Sequence, residues 1–158
     1  MTGMGKLSYF LGIQFKQVDD GVFMHQSKYI QEVLLKFHML NCNPAEVNLK
    51  LDKMEHEPGV DSTLFRQMIG CLRFICNTRA EINYSVGLVS RFMSNPRISH
   101  LVAVKRILRY LKGTSSFGVL FSNQSQKSKL QLLAYSDSDW CRNLLERKST
   151  MGYVFLLV

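Results

Sequence analysis

From Tyr9 to Gln26 apolar residues occupy alternate positions, with Leu11, Ile13 and Phe15 separated by Gly12, Gln14 and Lys16. A period of two predicts strand. Asp20-Gly21 predicts a tight turn and Val22-Phe23-Met24 leads back, so the segment reads as a hairpin. At Ser27 the period lengthens. Ile30, Val33, Leu34 and Phe37 share one face of a helix that Ser27 can cap. Residues 41 to 59 carry Asn43-Pro44, Pro58-Gly59 and scattered charge, the pattern of a connector. Asp61 or Ser62 then opens a helix with Phe65, Met68, Ile69, Leu72, Ile75 and Cys76 at helical spacing. Thr78 and Glu81 have capping-box spacing, which predicts another helix running to about Met93, where Asn95-Pro96 breaks it.

Ser99 is the expected cap of the next helix. Its apolar stripe is Leu101, Val104, Leu108 and Leu111, and Lys105, Arg109 and Lys112 recur at i, i+4 and i+7 on another face. Lys112 suits a helix C-terminus, and Gly113 fits the position just beyond it. Phe117 to Phe121, Leu130 to Ser136 and Gly152 to Val158 read as strands. A polar loop (122–128) and a charged turn (143–148) separate them. The pattern as a whole predicts an α+β fold: an N-terminal β-hairpin, about four helices and a C-terminal strand pair. Two strands cannot bury their faces alone, so that pair is expected either to pack on the helices or to open a further domain.

The chain has 158 residues, 46% hydrophobic and 20% charged, which places it with globular proteins. No run of about 18 apolar residues is present, so no spanning helix and no membrane partner is expected, and no signal peptide is evident. The default expectation is an intracellular protein whose four cysteines (Cys42, Cys71, Cys76 and Cys141) are buried free thiols, because their spacings match no common zinc site. The net charge of +8 is unevenly spread. From Ile82 to Ser136 there is no acidic residue, while Arg91, Arg97, Lys105, Arg106, Arg109, Lys112, Lys127 and Lys129 all fall there. Such a surface attracts phosphate backbones, or else serves only as a solubilising face.

Several blocks resemble copia-type retrotransposon Pol polyproteins. YFLGIQF (9–15) with HQSKYIQEVLLKFHM (25–39) is similar to the segment following the polymerase palm. FRQMIGCLRFICNTRAEI (65–82) and SRFMSNPRISHLVAVKRILRYLKGT (90–114) resemble the next blocks, and YSDSDW (135–140) with RKSTMGYVF (147–155) resembles the first strands of the RNase H domain. The order and spacing of the blocks agree. The sequence departs from the family at Ala80-Glu81, Leu101 and Cys141-Arg142-Asn143, where the family usually has Pro-Asp, Trp and Ala-Gly-Asp. The resemblance implies two domains: a post-palm thumb or connection region of the reverse transcriptase over 1–122, and truncated RNase H strands over 130–158.

Three groups of residues could carry chemistry. Val18-Asp19-Asp20 imitates the Asp-Asp turn of a reverse transcriptase, but Gln17 precedes it rather than an aromatic. The resemblance puts the catalytic pair upstream, so this is expected to be a hairpin turn. Asp137 matches an RNase H metal ligand, and Asp139 follows at strand spacing. Two-metal cleavage needs a cluster of carboxylates, and Asp137, Asp139 and Glu146 are the only acids after residue 136. Asp137 is therefore read as vestigial, with Mg²⁺ belonging to the parent enzyme and no cofactor or small-molecule substrate expected for this chain alone. The third group is Lys105, Arg106, Arg109 and Lys112. In the parent polyprotein they would meet the phosphates of an RNA–DNA hybrid, with binding weak or lost here. A different class, a host-interaction module, is suggested by Arg106-Ile107-Leu108-Arg109, which has the Arg-x-Leu-Arg form of an effector sorting tag. In effectors that tag is flexible and follows a signal peptide, whereas here it lies in an amphipathic helix.

Overall fold

The computed structural model describes residues 6–41, 57–123, 131–139 and 150–157. Most of the expected connector, the polar loop beyond residue 123, the turn at 143–148, and Cys42, His56, Lys127, Lys129, Trp140 and Cys141 lie outside the described residues. The fold is α+β, and the chain divides into two compact units, Met1–Phe121 and Ser122–Val158.

The first unit opens with β1 (Tyr9–Phe10), β2 (Ile13–Val18) and β3 (Gly21–His25), joined as antiparallel neighbours. The alternating pattern assigned Leu11 to a strand, but it lies in a turn. Phe10 pairs with Ile13, and between them Leu11 and Gly12 both take positive φ, 47° and 81°. That is the conformation of a tight primed hairpin turn, and Gly12 supplies it without strain. The second turn is centred one residue earlier than expected: Val18 pairs with Gly21, leaving Asp19-Asp20 at the tip.

Helix α1 (Ser27–Lys36) buries Ile30, Val33 and Leu34. Ser27 does not cap it. The N-cap is Gln26, and the Ser27 hydroxyl instead donates to the Ser115 carbonyl at 2.8 Å. The far end of α1 closes at His38, which adopts φ 56° while the N–H groups of His38 and Met39 donate to the carbonyls of Leu35 and Leu34. This is a Schellman closure, with Met39 buried beneath it. Helix α2 (Ser62–Ile75) starts as expected, with Asp61 Oδ1 accepting from the Thr63 N–H at 2.8 Å.

The capping box expected of Thr78 and Glu81 does not form, because both side chains have other partners. The Thr78 hydroxyl donates to the buried Gln26 Oε1 at 2.8 Å, and Glu81 accepts from Arg79. A 3₁₀ turn (Ala80–Ile82) leads instead into a short α3 (Asn83–Ser90), which ends before Met93. Helix α4 (Ile98–Gly113) follows, then β4 (Gly118–Ser122), which joins the sheet beside β3 in the order β1-β2-β3-β4. That junction requires glycine. A Cβ at Gly118 would collide with the Met24 carbonyl and lie 2.9 Å from the side chains of Phe23 and His25.

The core of this unit lies among the four helices. Ile30, Phe65, Leu72, Ile75, Val104, Leu108 and Leu111 have no exposed surface. Truncating a side chain so enclosed costs roughly 2–5 kcal/mol. In the second unit β5 (Leu132–Asp139) and β6 (Thr150–Leu157) pair antiparallel in register from Leu132↔Leu157 to Asp139↔Thr150. Successive residues Tyr153, Val154 and Phe155 are all exposed. Successive strand residues point to opposite faces, so apolar surface is open on both.

Candidate nucleic-acid interface

Helix α4 carries the candidate basic residues, and its sequence explains their display. At about 100° per residue, Lys105, Arg109 and Lys112 fall within an arc of about 60°, and Arg106 lies about 60° further round. The opposite side holds Val104, Leu108 and Leu111, all fully buried, with Ala103, Ile107 and His100 beside them. Burial of that stripe fixes the helix's rotation and leaves the four cations at its outer side, each partly exposed. Helix α4 contains no acidic residue. The structure thus brings together all four of the residues proposed from sequence.

The helix is held at both ends by groups distant in sequence. At its N-terminus the cap is Arg97, not Ser99. The Arg97 N–H donates to His100 Nδ1 at 3.0 Å, and the Ser99 N–H donates to Glu57 Oε2 at 2.8 Å. Glu57 is negative where the helix dipole is positive, and this N–H bond holds its carboxyl below the usual carboxylate range. Arg97 Nη1 donates to the Glu57 carbonyl at 2.9 Å, Val60 N–H to the Pro96 carbonyl at 3.0 Å, and Gly59 bridges to Arg97. Beneath this end His100 is buried and stacks on Phe92, with ring centroids 3.8 Å apart at 16°. It is a core histidine.

At the C-terminus Gly113 is the last helical residue and Thr114 the cap, so Gly113 does not take the left-handed position expected of it. Arg79 reaches this end. Its side chain is 1% exposed, and it donates from Nη1 to the Thr114 carbonyl (2.8 Å), from Nη2 to Thr114 Oγ1 (2.6 Å) and from Nε to Glu81 Oε1 (2.6 Å). Its guanidinium carbon lies 5.6 Å from the Tyr110 ring and 5.5 Å from the Phe117 ring. Thr114 Oγ1 in turn donates to the Tyr110 carbonyl at 2.8 Å. In the sequence Arg79 stands out only as part of a family block. The available signal was an arginine between two elements of strongly apolar pattern, but nothing in the periodicity shows where its side chain goes.

The other candidates are dispersed. Asp19 and Asp20 form a hairpin tip, and Asp137 is an exposed residue of β5 paired with Gly152. Among the described residues no group of three or more His, Cys, Asp or Glu side chains could hold a metal ion. Two-metal cleavage needs several converging oxygens, and among the described residues Asp137 joins no such group. Cys71 and Cys76 are free thiols, partly rather than fully buried. Arg106 to Arg109 is a full turn in the middle of α4, and Leu108 has no exposed surface, so the Arg-x-Leu-Arg string is folded into the core-bearing helix.

An uncharacterized mitochondrial protein of Arabidopsis thaliana is 35% identical over 99% of this chain and 65% of its own length. The retrovirus-related Pol polyprotein from transposon RE1 of Arabidopsis thaliana is 36% identical over 96% of this chain and 10% of its own length. A secreted RxLR effector protein of Plasmopara viticola is 40% identical, over 51% of this chain and 54% of its own. No protein-family model and no solved structure matches. These similarities define a retrotransposon-derived sequence. The chain is homologous to copia-type retrotransposon Pol polyproteins, and it spans less than two thirds of the length of the curated relatives named first.

Proposed function

We propose that this chain is the post-palm thumb or connection region of a copia-type Pol polyprotein together with the first strands of its RNase H domain, and that α4 tracks the phosphate backbone of an RNA–DNA hybrid. The observation that carries this reading is the arc of Lys105, Arg106, Arg109 and Lys112 on a helix whose opposite side is buried and which has no acidic residue. Phosphate contact needs charge in a fixed register, and no base-reading group is required. By itself the chain supplies neither polymerase nor nuclease chemistry. Residues 130–158 correspond to the opening strands of RNase H, with Asp137 as a vestige of its metal site.

The test is affinity for a short RNA–DNA hybrid at two salt concentrations. Each contacted phosphate contributes about −0.9 to the slope of log affinity against log salt on duplex DNA, so three or four contacts give a slope of about −3. Arg109→Gln with Lys112→Gln should reduce its magnitude by about 2 with helix content kept, because glutamine is a comparable helix former. Equal slopes would reduce the basic arc to a solubilising surface. In the same preparation Mg²⁺ or Mn²⁺ should support neither primer extension nor hybrid cleavage. Cleavage that vanished in Asp137→Asn would overturn the inactive reading.

A further inference from the structure

We propose that Arg79, which is shut off from solvent, is the positioning residue of the basic face. It pins the last turn of α4 and so holds Arg109 and Lys112 in line with Lys105 and Arg106. This rests on the nucleic-acid reading of α4.

A helix end has four carbonyls without intrahelical partners, and the last turn frays unless something takes them. Here Arg79 donates to the Thr114 carbonyl, which also accepts from the Phe117 N–H, and at the same time holds Thr114 Oγ1, which itself donates to the Tyr110 carbonyl. One guanidinium therefore secures the backbone on both sides of Lys112. It also lies against the rings of Tyr110 and Phe117, one on α4 and the other just before β4. The Ser27 hydroxyl holds the next carbonyl, that of Ser115, from the other side. The geometry depends on the forked donor. Arginine presents parallel N–H groups in a plane and stacks on rings, whereas lysine is a single point charge. With Arg79 buried at 1% exposure, no phosphate can reach it, so its effect on binding must pass through α4.

The experiment is Arg79→Lys, which leaves the net charge at +8 and so removes bulk charge as an explanation. Two readouts are taken well below the melting temperature. The first is the salt slope of affinity for a short RNA–DNA hybrid. The expected slope magnitude falls from about 3 to about 1, as Arg109 and Lys112 lose their fixed places while all four cations remain in the chain. A residue that merely adds stability would leave the slope of the folded protein unchanged. The second is amide exchange from Leu111 to Thr114, expected to quicken at least tenfold while Val104 to Leu108 stay slow. Unchanged exchange overturns the pinning, and quickened exchange with an unchanged slope overturns the positioning role. A flat slope in the wild type would instead sink the nucleic-acid reading, and the exchange data would then still decide whether Arg79 pins the turn.

Discussion

Leu11 is the residue most at odds with its place. It holds φ 47° in a two-residue turn, and its side chain is 73% exposed, so no packing offsets the left-handed backbone. That conformation costs an L-residue with a bulky side chain about 1–2 kcal/mol, and asparagine before glycine is the pair such turns favour. Leu11→Asn is expected to stabilise the protein by about 1 kcal/mol, read as a higher midpoint in urea with an unchanged denaturant slope. A lower midpoint would show that Leu11 makes a contact worth more than the strain. At this scale the sequence was legible where one period dominated. Ile30, Val33, Leu34, Phe65, Met68, Ile69, Leu72, Val104, Leu108 and Leu111 all lie in the core, as their spacing required. It was illegible at Leu11, because an apolar residue in a turn looks like one more step of strand alternation. It was also illegible at Arg79, whose partner Thr114 is 35 residues away.

The elements were legible as types and less so at their ends. A helix interior repeats, and each apolar residue adds to the same signal, whereas an end is decided by one hydrogen bond that several side chains could make. Ser27, Thr78 and Ser99 are good caps by composition, yet two of their hydroxyls are committed to Ser115 and Gln26, and at Ser99 the N–H is taken by Glu57. Only Asp61 does what its type suggests. Glu57 gives a test at this scale. Its carboxyl lies below the ordinary value of 4.5, so the stability it lends α4 is fully present above that value and is lost as pH falls through the lowered one. Glu57→Gln should lower the melting temperature at neutral pH and flatten the fall of melting temperature between about pH 5 and 3 relative to wild type. Parallel curves for the two proteins would mean that the carboxylate does not act at the helix N-terminus.

For the whole molecule, the α+β layout follows from periodicity, since helices with buried stripes can close a core, whereas a division into two domains is what the family resemblance implies. The basic face was legible as a spacing. What the sequence could not show is that the helix is sewn down at one end by Glu57 and Arg97 and at the other by Arg79 and Ser27. The central claim is that the placement of charge on α4, and not the net charge, makes the interface. It is tested most directly by comparing two double variants of equal charge: Arg109→Gln with Lys112→Gln on α4, and Lys16→Gln with Lys36→Gln on β2 and α1. Each changes the net charge from +8 to +6 by removing two cations. The α4 pair is expected to flatten the salt dependence of RNA–DNA hybrid binding by about 2, while the other pair leaves it near the wild-type slope of about −3. If both pairs weaken binding with the same change of slope, the attraction is that of a diffusely basic protein, and α4 is not its interface.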